Sequence, residues 1–150
     1  FPTRRSSDLA RFLDDAPGFD VFFLGALVNW TRRTRHPGIW KIRHACLTHA
    51  YVIGPRFAER LAALEWSGKP IDKLIDRMRP AAYTIYPALA YQSDAGSDNR
   101  SADLDGVRRW FGGLAHVQRA NGWLFRYKWP ILAGHLAFAA AVAAVVALAW

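Results

Sequence analysis

Phe19 to Leu24 is a nearly continuous apolar run, FDVFFL, followed by Gly25. Such a run predicts a buried strand of the kind found in parallel sheets. Leu47 to Ile53 predicts a second strand, closed by Gly54. Pro55 suits the first turn of a helix. Phe57, Ala58, Leu61 and Leu64 then share one face at helical spacing, and Ser67-Gly68 closes that helix. Pro70 starts another, with Ile71, Leu74, Ile75 and Met78 on one face. Ala82 to Tyr86 predicts a third strand, which Pro87 interrupts or places at an edge. A polar loop, Ser93 to Ser101, leads to a last amphipathic helix on Leu104, Val107, Phe111 and Leu114, broken by Gly112-Gly113. Strands alternating with helices predict an α/β layered domain.

The two ends differ from this middle. Ile131 to Trp150, ILAGHLAFAAAVAAVVALAW, carries no charge and one histidine. Twenty residues at ~1.5 Å each just cross a ~30 Å hydrocarbon layer. Pro130 stands before the stretch, and Trp129 and Trp150 flank it like interfacial anchors. Arg126 and Lys128 precede it, which by the basic-loop bias keeps the domain on the cytoplasmic side. The rival expectation is a buried Ala-rich helix, with His135 facing a neighbour. Phe1 to Leu9, FPTRRSSDL, shows neither helical nor alternating period. It resembles a translated sequencing-adapter fragment and is set apart as a non-native leader. Ala10 to Ala16 reads as the last turns of a helix. The expected organisation is a leader at 1–9, a domain at 10–129 and a transmembrane helix at 130–150.

Charge narrows the partners. The formal net charge is +8. Seven basic residues lie between Arg32 and Arg60, where Glu59 is the only acid. No acid follows Asp105, yet Arg108, Arg109, Arg119, Arg126 and Lys128 do. Such asymmetry suits an anionic partner: a nucleotide diphosphate or an anionic lipid surface. No zinc finger, Walker loop or RNA-binding aromatic motif points to nucleic acid. Ala26 to Arg43 reads as a long basic connection with a Pro37-Gly38 turn. Its Arg32 to Arg43 part is either a rim for anions or a solvated surface. The single cysteine, Cys46, excludes an internal disulfide and a Cys-rich zinc site, and reads as a small buried hydrophobe.

Few residues offer chemistry. Asp14-Asp15 has the look of a metal-binding pair. Only three residues separate it from the strand segment that follows, so it reads as a solvated helix end. His49 shares its side of a strand with Tyr51. Asp72 stands third in its helix if Pro70 is first, where it offsets the helix dipole. Either residue can orient or deprotonate a hydroxyl, and either can be purely structural. Gln92, Asp94 and Asp98 can bind sugar hydroxyls.

FDVFFLG, THAYVI with PRFAERL, then PID, then YTIYPALAYQ and SD together resemble the family 25 glycosyltransferases, which include lipopolysaccharide sugar transferases. The likeness runs from about Phe19 to Asp98. It implies a partial GT-A-like α/β fold, a nucleotide-sugar donor, a divalent cation (Mn or Mg) and a saccharide or lipopolysaccharide acceptor. It matches His49 within Thr48 to Tyr51, Asp72 in the proline-x-aspartate turn, Gln92 after the late strand, and Ser97-Asp98. The family's acidic motif would lie upstream of Asp14-Asp15. The expected protein is thus a membrane-attached glycosyltransferase, with a catalytically inactive, membrane-associated binding domain of the same fold as the alternative.

Overall fold

The computed structural model describes residues 4–15, 18–65, 67–92, 110 and 112–148. Its organising element is strand β1, Val21–Asn29, which lies inside a five-stranded sheet. Strands β2 (Arg32–Arg33), β3 (Ile39–Ile42) and β4 (His44–Ile53) follow in sequence, and β5 is Ala82–Ile85. The order across the sheet is β2-β3-β5-β1-β4. β1 runs parallel to β5, as its apolar run predicts, but antiparallel to β4. Its side chains alternate between two cores, Val21 and Phe23 buried in one and Phe22 in the other.

The stretch from Ala26 to Arg43 is not a long connection. β1 continues through Gly25 to Asn29, and the basic segment folds as the β2–β3 hairpin. Gly38, at φ 73°, turns the chain there. The Thr34 hydroxyl donates to Ile39 O at 2.8 Å and accepts from His36 N at 3.1 Å, closing the loop. Ile39 and Ile42 bury themselves against the sheet, and that apolar pair makes a strand of a basic sequence.

Helices cover both faces. Helix α1, Arg4–Asp15, places Phe12 among Phe22, Ile39 and Ile85, with Leu9 and Tyr83 alongside. The helix runs without a break through Leu9, although Phe1 to Leu9 shows no helical period in sequence. Asp14 and Asp15 close it, exposed. On the other face, α2 (Pro55–Ala62) contributes Phe57 and α3 (Ile71–Arg77) contributes Ile75 to a core with Val21, Phe23, Val28 and Ala45. α2 stops well before Ser67-Gly68. Phe57 is its one buried side chain, so later turns have no packing to hold them.

The last helix, α4, is Leu114–Leu148, 35 residues and about 52 Å long. Pro130 lies inside it and does not separate two helices. The first half docks on β1; from Leu132 on every described residue is exposed. The apolar half is therefore not a buried core helix of this chain. It is long and apolar enough to cross a membrane. His135 Nδ1 lies 2.8 Å from Ile131 O, one turn earlier in the same helix. The chain is thus mixed α/β, with one sheet and a long apolar C-terminal helix.

Candidate functional site

β5 pairs with β1 only from Val21 to Phe23, so the edge of β1 beyond that point needs other partners. The chain after β5 supplies the first. Leu89 N and Ala90 N both donate to Leu24 O, at 2.8 and 3.1 Å. α4 supplies the rest. The Asn121 side chain accepts from Val28 N at 3.0 Å and donates to Val28 O at 3.1 Å.

His49 joins this junction. Its Nε2 lies 3.2 Å from Ala90 O and 3.5 Å from Gln118 Nε2. Gln118 is buried, and its Oε1 accepts from Gln92 N at 2.9 Å, which turns its NH₂ toward the imidazole. Ala90 O only accepts, and it is the closer partner. The contact to Ala90 O is a hydrogen bond when Nε2 is protonated, and the longer one to the Gln118 NH₂ is a hydrogen bond when it is not. Gln92 Oε1 is buried with no hydrogen-bond partner among the described residues.

Gly25 makes the junction possible. A methyl group there would overlap the Ala90 carbonyl and His49 Nε2. Two register shifts between β1 and β4 flank this glycine. Gly25 does not end the strand, as its sequence position suggests; it makes room for the contact.

The residues singled out in sequence are thus only partly gathered. His49 and Gln92 meet around Ala90 and Gln118. Asp72 belongs elsewhere: Pro70 is the N-cap of α3, so Asp72 is the second helical residue, and its carboxylate accepts from Lys73 N at 2.9 Å. Its charge acts on Cys46 of β4. Burial pushes the Cys46 thiol up, Asp72 adds to the rise, and Lys73 opposes it. Cys46 is half-buried, not fully buried. Asp94 and Asp98 lie outside the described residues. Among the described residues, no three of His, Cys, Asp or Glu gather closely enough to hold a metal ion.

Open space lies apart from His49. The cavity between β1, β5 and Gln118, Asn121 and Phe125 of α4 measures about 30 Å³, room for about one water and far too little for a sugar. Two open clefts flank the β2–β3 hairpin. One, of about 340 Å³, is lined by Arg33, Arg35, His36, Tyr86 and Arg126. The other, of about 750 Å³, lies between Arg32, Arg33 and Trp40 and the Arg126–Trp129 turn of α4. Aromatic faces hold the cations: Arg33 Cζ stands 5.3 Å from the Trp40 centroid, and Lys128 Nζ 5.7 Å from that of Trp129.

Gln118, Asn121 and the hairpin–helix clefts escaped the sequence reading. Their signal was present: Leu114, Gln118, Asn121, Phe125 and Lys128 repeat at three- and four-residue steps, one face of a helix. A polar residue on such a face marks a backbone edge waiting for it. Searches against family models, curated proteins and solved structures give no match for this chain.

Proposed function

We propose that this chain is the later, acceptor-side part of a family 25-type glycosyltransferase, held at the cytoplasmic face of a membrane by α4. One observation carries the reading. Two pieces of the resemblance distant in sequence, THAYVI and YTIYPALAYQ, meet through His49 Nε2 and Ala90 O. The resemblance rests on order and spacing, and this contact gives that order a spatial reason.

In sugar transfer, the acceptor oxygen bonds to the anomeric carbon as the bond to the diphosphate breaks. The acceptor proton passes to a base, and the diphosphate leaves with its negative charge. Arg33, Arg35 and Arg126 around the 340 Å³ cleft suit that charge. His49 lies beside Gln118, two helical turns or about 12 Å along α4 from Arg126. One transferring bond does not span that gap. His49 is then a positioning residue that sets the 88–92 segment, and Gln92 joins it there through its backbone N–H to Gln118. Asp72 keeps a role only if a ligand reaches the Cys46 side of the sheet.

The alternative, a membrane-associated binding domain without catalysis, is favoured by a different observation: the roomy clefts are basic and lie against α4, while the cavity lined by Gln118 has room for about one water. Titration of a nucleoside diphosphate into the full chain tests the transferase reading. The transferase reading expects saturable binding that Arg35→Gln weakens severalfold. Binding unchanged by Arg35→Gln, or none at all, contradicts it.

A further inference from the structure

We propose that the 750 Å³ cleft, where α4 leaves the domain, is a seat for the phosphate headgroup of an anionic lipid. The inference rests on the membrane-anchored part of the reading above and is independent of sugar transfer.

Arg32, Arg33, Arg126 and Lys128 line the cleft, and no carboxylate does so among the described residues. Trp40 and Trp129 close its sides. Lys128 Nζ donates to Thr31 O at 3.0 Å, which ties α4 to the chain just before β2. Thr31 Oγ1, also in the lining, is buried and has no hydrogen-bond partner among the described residues. It offers a hydroxyl donor to a phosphate oxygen.

Position selects the ligand. Pro130 borders the cleft, and the exposed apolar run of α4 begins with the next residues. When that run lies in hydrocarbon, the cleft stands at headgroup depth. Trp129 and Lys128 hold the level where interfacial aromatic and basic residues concentrate. A lipid phosphate is then supplied by the same leaflet that the helix enters. Four cations at this depth favour a lipid with net negative charge over a zwitterionic one.

The test uses the full chain in dodecyl maltoside, titrated with phosphatidylglycerol or phosphatidylcholine. Bound lipid is counted by native mass spectrometry. Phosphatidylglycerol should bind roughly tenfold or more tightly than phosphatidylcholine. Arg32→Glu reverses an exposed charge on a two-residue strand and should abolish that preference. Lys128→Gln should reduce it severalfold. Arg77→Glu, on α3, should leave it intact. Equal binding of the two lipids, or a preference untouched by Arg32→Glu, overturns the proposal. Displacement of phosphatidylglycerol by equimolar inorganic phosphate also overturns it, because the cleft would then take free anions. Absence of the preference in the unmutated chain, when that chain still floats with vesicles, contradicts the lipid seat alone. A chain that floats with no vesicle contradicts the anchor and the seat together.

Discussion

Asn121 of α4 pairs with the backbone of Val28 as a neighbouring strand would, accepting from its N–H and donating to its carbonyl. β5 has already ended, and a helix side chain completes the sheet in its place. This contact joins the long apolar helix to the domain. In Asn121→Leu, both Val28 groups lose these partners, and the variant should unfold about 2–4 kcal/mol more easily. Asn121→Asp keeps an acceptor for Val28 N but faces Val28 O with a second acceptor, so it should fall between. Thermal unfolding of the detergent-solubilised chain measures both, and an unchanged Asn121→Leu would remove the helix–sheet pairing from the account.

Gly25→Ala tests the junction beneath it. The added methyl meets a backbone carbonyl at Ala90, which cannot swing aside like a flexible side chain. The 88–92 segment must shift or β1 must bend, at a cost of about 1–3 kcal/mol. The His49 imidazole resonances should move with it, and their constancy would show that Ala90 and His49 do not crowd this glycine.

Cys46 reports on α3. Its thiol is pushed up by burial first and by Asp72 second, so little thiolate forms near neutral pH and alkylation is slow. Asp72→Asn removes a raising influence, and alkylation at a given pH should accelerate. Lys73→Gln removes a lowering one and should slow it. The linkage has a matching sign. A thiol raised in the folded state adds stability below its unfolded value, and that contribution disappears as alkaline pH ionises the unfolded chain first. Rates of iodoacetamide labelling against pH decide both substitutions.

Truncation after Trp129 separates docking from anchoring. The shortened chain keeps Gln118, Asn121, Phe125 and Lys128, so it should retain the near-ultraviolet signature of the folded domain. It loses the run whose described residues are exposed, including Phe138 at 72% and Val145 at 67%. The full chain should float with vesicles and resist alkaline extraction, and the truncated one should do neither. Flotation of the truncated chain would move the membrane contact elsewhere.

Period and punctuation made much of the fold legible. FDVFFL reads as a buried strand because it has neighbours on both sides, and Pro55 and Pro70 mark helix starts because their rings fit there. The β2–β3 hairpin was hidden because Arg32, Arg33 and Lys41 outweigh Ile39 and Ile42 in any local pattern. The extent of β1 was hidden because Gly25 looks like a terminator until Ala90 and His49 occupy its missing side chain. Likewise, Pro130 looked like a boundary, yet the helix continues through it. At the site, the closeness of His49 to Gln92 is a tertiary fact that spacing cannot carry. Asp72, equally prominent in sequence, faces Cys46 instead.

The proposed sugar transfer at a membrane surface is measured most directly with the protein reconstituted in vesicles with a panel of nucleotide-sugars, a membrane acceptor extract and Mn²⁺ or Mg²⁺. Acceptor-dependent release of nucleoside diphosphate from at least one donor is expected, reduced severalfold by Gln118→Ala through loss of the His49–Gln92 junction. Background release from every donor, by a protein that remains folded and vesicle-bound, would contradict it.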